Sequence, residues 1–171
     1  MNAPPLLPAI TRGVTAGVVG TLALESVTYV DMVLTGRPES NLPAEAAGRL
    51  AGSFRVDLGK SAANRRRALG ALLGFANGVA VGVGYALVAG PGGGHPTLRR
   101  GLGLGLAAMA ASAGPAAVSG LTDPRRWGWR GWLEDLVPHL AYGLAATRAY
   151  AALHCDQGRT SLRIGRGDCG R

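Results

Sequence analysis

Residues 68–89 read ALGALLGFANGVAVGVGYALVA, a stretch in which no side chain is charged. A helix of about 20 mostly apolar residues crosses the hydrocarbon core of a bilayer, so this stretch predicts a membrane-spanning helix. Glycines recur in it every four residues, and they leave a shallow groove where a neighbouring backbone can come close. Each four-residue step turns the row by about 40° around the helix, so a partner has to cross at an angle. The packing residues predicted here are Gly70, Gly74, Gly78 and Gly82.

The composition of the whole chain favours a membrane protein. Of its 171 residues, 47% are apolar and 16% are charged, whereas about 25% charged is typical of a soluble domain. The formal net charge is +8, and the basic residues cluster in the segments between uncharged runs. That placement fits loops held against anionic lipid headgroups. We therefore expect membrane lipids around the chain and no nucleic-acid partner.

Three further segments are candidate spans. The segment 101–121 is uncharged, whereas 12–35 and 132–153 each contain two acidic residues. The segment 132–153 also follows a tryptophan cluster of the kind found at the lipid–water interface. A soluble helical bundle is the alternative, but two long uncharged runs are hard to bury in a chain of this size. The sequence thus predicts an all-α fold, an integral membrane bundle of four transmembrane helices in one domain over 1–154. The spans are expected at about 12–35, 68–89, 101–121 and 132–153.

The connections between the spans carry their own predictions. The glycine- and proline-rich segment 90–96 cannot be helical, so the second and third spans should form a helical hairpin. In the first connection, Pro43 suits a first helical turn, and apolar residues recur at helical spacing. This pattern predicts an amphipathic helix over about 43–55, lying either on the membrane surface or as a lid over the bundle. Residues 155–171 are expected to form a basic, flexible tail.

Two cysteines, Cys155 and Cys169, lie in the predicted tail. Two thiols are too few for a closed zinc site, and the sequence leaves open whether they pair. We expect no metal and no cofactor.

The first span places small residues and one carboxylate on a common stripe. Gly13, Gly17 and Gly20 share it with Asp31, which approaches the end of the span, and they offer a packing face for the second span. Glu25 flanks this stripe at about mid-membrane depth, where an ionisable group usually faces the bundle interior and has a function. Either Glu25 handles protons or a solute, or it bonds structurally to a polar group such as Asn77 on the second span.

The last span contains a second polar pair. Asp135 and His139 lie one helical turn apart, so a carboxylate can orient the imidazole. The pair is a candidate pH sensor, proton relay or half metal site, and the alternative is an interfacial histidine beside the kink that Pro138 imposes. The sequence contains no nucleophile motif, no dinucleotide-binding pattern and no metal-ligand spacing, so we do not expect an enzyme.

Short motifs along the chain resemble those of small bacterial inner-membrane proteins of the YagU-like kind. They are Arg12-Gly13-x-x-x-Gly17, Arg37-Pro38, the glycine-rich second span, Gly120-Leu121-Thr122-Asp123-Pro124 and His139-Leu140-Ala141-Tyr142-Gly143. The resemblance covers most of residues 10–150. It implies a multi-pass protein of the bacterial inner membrane with four spans. It assigns no activity, because that group has none assigned.

Two functions follow as hypotheses. The chain has many helix-packing residues and few candidate reactive residues. This favours a small subunit or assembly partner that binds other membrane subunits or a second copy of itself. The alternative is a proton-linked small-solute transporter or channel that uses Glu25 and the Asp135–His139 pair. The positive-inside rule leans only weakly toward both termini outside.

Overall fold

The described part of the chain is helical throughout. A computed structural model describes residues 6–90 and 96–165, with side chains described through residue 153, and these residues form five α-helices and no strand. The all-α prediction is therefore confirmed for this part of the chain. The helices are α1 Leu6–Thr35, α2 Leu42–Ser53, α3 Ala62–Ala89, α4 Leu98–Val118 and α5 Gly128–Gly165.

Three helical segments are long and apolar enough to cross a membrane. They are Leu6–Thr35, Gly59–Ala89 and Leu98–Val118, where the second includes a 3₁₀ turn at Gly59–Ser61 before α3. α5 is longer but more polar, since charged residues recur along it. A membrane protein follows from these three helices, and the fourth span stays a prediction.

α1 and α3 pack antiparallel through their glycines. A Cβ atom added to Gly17 would lie 2.8 Å from the Cα atom of Val79, and one added to Gly82 would lie 2.5 Å from the carbonyl oxygen of Gly13. Real Cβ atoms do not come this close to backbone, so the two helices touch backbone to backbone. The small faces of the first and second predicted spans thus meet inside the protein.

α5 packs between α1 and α4 and reaches α3 through two tyrosine side chains. Its buried side chains include Tyr142, Ala146 and Tyr150, each at most 1% exposed. The Tyr142 hydroxyl donates to the Gly78 carbonyl at 2.5 Å, and Tyr150 donates to the Gly90 carbonyl at 3.0 Å. Because residue numbers rise together in these two bonds, α5 runs parallel to α3.

α4 packs against α5 and touches α3 only slightly. A Cβ atom added to Gly105 would lie 2.6 Å from the His139 carbonyl oxygen, and one added to Gly101 would clash with Leu144. α3 and α4 follow each other in opposite directions, as the expected hairpin requires, but the closest small-residue contact of α4 is with α5. The turn predicted to join these spans lies mostly outside the described residues.

α2 lies against the amino-terminal part of α3. Gly70 faces Pro43, since a Cβ atom added to Gly70 would lie only 2.6 Å from the Pro43 carbonyl carbon. Arg49 donates a hydrogen bond to the Ser119 carbonyl just past the end of α4. α2 therefore spans from α3 to α4, over the segment where the sequence predicts the helix 43–55.

The ends of α4 and α5 differ from the predicted spans. α4 stops at Val118, and Gly120 adopts a φ of +70° that turns the chain away. α5 continues to Gly165, into the segment predicted as a tail. The side chain of Cys155 and all of Cys169 lie outside the described residues, so their pairing stays open.

Candidate functional site

One half of the bundle contains a half-open cavity of about 480 Å³, lined by many polar side chains and called the polar cavity below. Its wall is formed by the second half of α1, the connection to α2, the first turn of α2, the middle of α3, the second half of α4, the third connection and the first half of α5. All of these lie on the side of the first and third connections. The candidate residues Glu25, Asn77, Asp135 and His139 all line this one cavity, although they come from three different helices.

The cavity reaches α3 at a glycine that no neighbouring helix covers. Gly74 lines it, and no heavy atom lies within 4 Å of a Cβ atom built there. The predicted packing row of α3 is thus divided among three surroundings: Gly70 faces α2, Gly74 faces the cavity, and Gly78 and Gly82 face α1. The four glycines face different neighbours because each four-residue step rotates their direction by about 40° around α3. A single straight helix therefore cannot contact all four of them.

Gly20, the third small residue of α1, faces α5 instead of α3. A Cβ atom at this position would lie 2.7 Å from the ring of Tyr142. Gly20 thus makes room for the tyrosine that closes the inner end of the cavity.

Asp135 and His139 form a fixed pair in the cavity wall. His139 is 8% exposed. Its Nδ1 lies 2.6 Å from the backbone carbonyl oxygen of Asp135 and 3.4 Å from the carboxylate Oδ1 of the same residue. Both neighbours are acceptors, so Nδ1 carries the proton and donates. In the neutral imidazole Nε2 is then an acceptor, and it makes no hydrogen bond within the described part of the chain.

The second carboxylate oxygen of Asp135 is also unused. Oδ2 is buried and has no hydrogen-bond partner among the described residues. Pro138, which lines the cavity beside this pair, lacks an N–H and so leaves the carbonyl of Glu134 without its helical donor. Acceptors therefore outnumber donors in this part of the wall.

Arg37 ties α1 to α5 at the loop side of the cavity. Its Nε lies 2.5 Å from Asp31 Oδ2 and 4.0 Å from Glu134 Oε2. Asp31, a predicted site residue, thus pairs with Arg37 next to the cavity. The arginine is largely buried, with 18% of its side chain exposed, so its charge is satisfied by these carboxylates.

Glu25 and Asn77 share the cavity without bonding to each other. No hydrogen bond joins them among the described side chains, and Glu25 is exposed. Asn77 is therefore not the bonding partner of Glu25 in this arrangement, and the choice between a proton-handling and a structural Glu25 stays open.

The cavity is acidic within a basic protein. Glu25, Glu39, Glu134 and Asp135 line it together with Arg37 and His139. With Asp31, five of the ten acidic residues of the chain lie in or beside it. Close carboxylates that are not matched by basic groups favour positive charge between them.

Sequence reasoning does not assign a role in the site to four residues that line the cavity: Arg37, Glu39, Gly74 and Tyr142. Arg37 and Glu39 belong to a connection, where charged residues are ordinary. Gly74 is indistinguishable from the packing glycines around it. The only signal for Tyr142 is its position on the helical face of Asp135 and His139.

A wider surface depression of about 810 Å³ lies at the third connection, between residues 117 and 127. Its acidic residue, Asp123, already caps the 3₁₀ turn at Pro124–Arg126 and approaches Arg126. The polar cavity is therefore the better candidate site. Nowhere in the described residues do three His, Cys, Asp or Glu side chains come close enough to hold one metal ion.

Comparison with family models, with curated protein sequences and with solved structures finds no match to this chain. The resemblance to YagU-like proteins therefore stays a prediction. The class that the fold defines is a helical membrane protein, and what the cavity does has to be argued from its own geometry.

Proposed function

We propose that the chain is a four-span carrier that moves protons, linked to a small solute, through its polar cavity. The observation that carries the proposal is the convergence of Glu25, Asn77, Asp135 and His139 on one cavity. These residues lie far apart in sequence, and polar groups on membrane helices usually mark substrate or proton pathways. The bacterial inner membrane is the proposed location.

A fourth span is supported by the packing of α5. Its bonds to α3 run from Tyr142 with Gly78 to Tyr150 with Gly90, a rise of about 12 Å at 1.5 Å per residue. A helix that lies beside a membrane-spanning helix over this depth shares its position in the bilayer. The polar residues of α5 are tolerated because α1 and α4 surround it. By the same reasoning α2, attached to α3 and α4, is the amphipathic helix at the surface.

The proposed proton site is His139. Its Nε2 accepts a proton from the cavity, while the Asp135 carbonyl and carboxylate stabilise the imidazolium from the Nδ1 side. Glu25 is the exposed carboxylate that supplies protons from the same cavity. Beyond it, Tyr142 and Ala146 close the bundle, so the geometry favours a carrier over an open channel.

Proton flux into liposomes tests this function. Purified protein is reconstituted with an internal pH-sensitive dye, and a potassium gradient with valinomycin drives protons inward. We expect flux above that of empty liposomes, reduced at least about tenfold in Glu25→Gln and His139→Gln. Glu45→Gln is the matched control, because Glu45 lies on α2 outside the cavity.

A second pair of variants tests the cavity itself. Gly74→Leu places a side chain in the cavity and should block flux. Gly84→Leu adds the same side chain to the same helix where no atom lies within 4 Å either, but outside the cavity, and should leave flux unchanged. Wild-type liposomes that behave like empty ones, or equal loss in both leucine variants, would overturn the proposal.

Self-association through α4 is a second candidate function, as expected of a subunit. It is supported by open space at Gly103 and Gly114, which have no heavy atom within 4 Å of an added Cβ atom. Ala107, Ala110 and Ala111 between them are also exposed. Such a small-residue face suits a second helix. Cross-linking in native membranes should trap a dimer that Gly103→Leu abolishes, and a monomer in wild type would exclude it.

A further inference from the structure

Two residues that line the cavity, Asp135 and His139, carry acceptors without a donor in the described part of the chain. One is His139 Nε2, on a side chain that is 8% exposed and held by its other nitrogen. The other is Asp135 Oδ2, buried and without a partner among the described residues. A buried acceptor that lacks a donor costs free energy, so a ligand whose N–H groups reach Asp135 Oδ2 would remove that cost.

The charge of the cavity selects among such ligands. Its carboxylates outnumber its single guanidinium, and Arg37 is already paired with Asp31. An anion would meet uncompensated carboxylates, and a neutral alcohol would leave them without a counter-charge. A cation satisfies both the charge and, if it has N–H groups, the two acceptors.

The spread of the carboxylates argues for an organic cation over a metal ion. No three ligand-type side chains among the described residues converge on one point, whereas the volume of about 480 Å³ lies in the range of small-molecule pockets. The aliphatic part of such a ligand has apolar neighbours in Leu24 and Ala108, which also line the cavity.

We infer that the solute of this cavity is a small protonated amine, with its ammonium N–H groups bound by Asp135 Oδ2 and His139 Nε2. The inference rests on the proposed carrier function and names the class of its solute. A quaternary ammonium carries the same charge but no N–H, so it leaves both acceptors unmatched. Hydrogen bonds to charged groups are strong enough that this difference amounts to at least about tenfold in affinity.

Calorimetric titration of the full chain in mild detergent, at neutral pH, tests the inference with four probes that each carry a short alkyl chain. We expect n-butylammonium to bind, butyltrimethylammonium to bind at least about tenfold more weakly, and n-butanol and butyrate not to bind. Equal affinity for the two cations, or no binding of n-butylammonium, would overturn it.

Matched variants locate the site. Asp135→Asn should weaken n-butylammonium binding by about ten- to a hundredfold, while Asp57→Asn, in the first connection, should not change it. Gly74→Leu, which fills the cavity, should also abolish binding. It is the second test of the site if circular dichroism shows that Asp135→Asn is unfolded. Retained binding in a folded Asp135→Asn or Gly74→Leu variant contradicts the assignment.

The binding assay needs no transport, so the two proposals fail separately. Amine binding without proton flux would remove the carrier function and keep the site. Proton flux without amine binding would keep the proton path and remove the amine as its solute.

Discussion

Replacing Gly82 by alanine should separate α1 from α3. The new Cβ atom would lie 2.5 Å from the Gly13 carbonyl oxygen and 2.6 Å from the Gly17 Cα atom. Both are backbone atoms that cannot rotate away, and ordinary contact begins at 3.4 Å. The helices therefore have to move apart by about 1 Å, which forfeits a quarter to a half of the dispersion energy of the atoms that face each other.

The expected loss in the free energy of unfolding is about 1–3 kcal/mol, the range measured when a packed core is overfilled. For a chain of this size that corresponds to a melting temperature lower by about 2–12 °C. Gly84→Ala is the matched control two residues away. It meets no atom within 4 Å and should raise stability by about 0.4–1 kcal/mol, since alanine restricts the unfolded chain more than glycine does.

Thermal unfolding of the purified protein in mild detergent, followed by circular dichroism, measures both variants against wild type. The reasoning is refuted if Gly82→Ala melts at or above the wild-type temperature. It is also refuted if Gly82→Ala and Gly84→Ala shift the transition equally, because then the backbone contact does not decide the outcome.

Three other contacts give shorter predictions. Tyr142→Phe removes a 2.5 Å hydrogen bond to the Gly78 carbonyl and should lower the free energy of unfolding by about 0.5–1.5 kcal/mol; unchanged denaturant curves would contradict this. Arg49→Ala should release α2 from the end of α4, so amide hydrogen exchange over 42–53 should accelerate, and equal exchange would exclude the link. Arg37→Ala breaks the pair with Asp31, whose side chains are 18% and 34% exposed, and should cost about 0.5–1 kcal/mol at low salt. A cost for Arg37→Ala that is independent of sodium chloride would argue against an electrostatic origin.

The candidate site is less accessible to sequence reasoning than the helices. The polar residues Glu25, Asn77, Asp135 and His139 stand out because they interrupt apolar segments, and that signal is local. Their common cavity is not local, because residues of all five helices line it. Gly74 shows most clearly what the sequence cannot predict about the site. Its spacing matches that of Gly70 and Gly78, yet its neighbour is the cavity.

The sequence by itself determined the helical character of the chain and three apolar helices. Hydrophobic length and the absence of charge are summed over neighbouring residues, so they are readable without any partner. The prolines and glycines between these runs likewise set where helices end, as Gly120 does after α4.

Only the tertiary structure decided which helices meet. Glycines offer close approach to any neighbour, and the choice of α1 for Gly82 and of α5 for Gly105 depends on matching small faces across distant segments. The same choice placed α5 between α1 and α4. That arrangement gathers the scattered carboxylates around one cavity, because polar side chains in a membrane bundle are stabilised only where other helices or water enclose them.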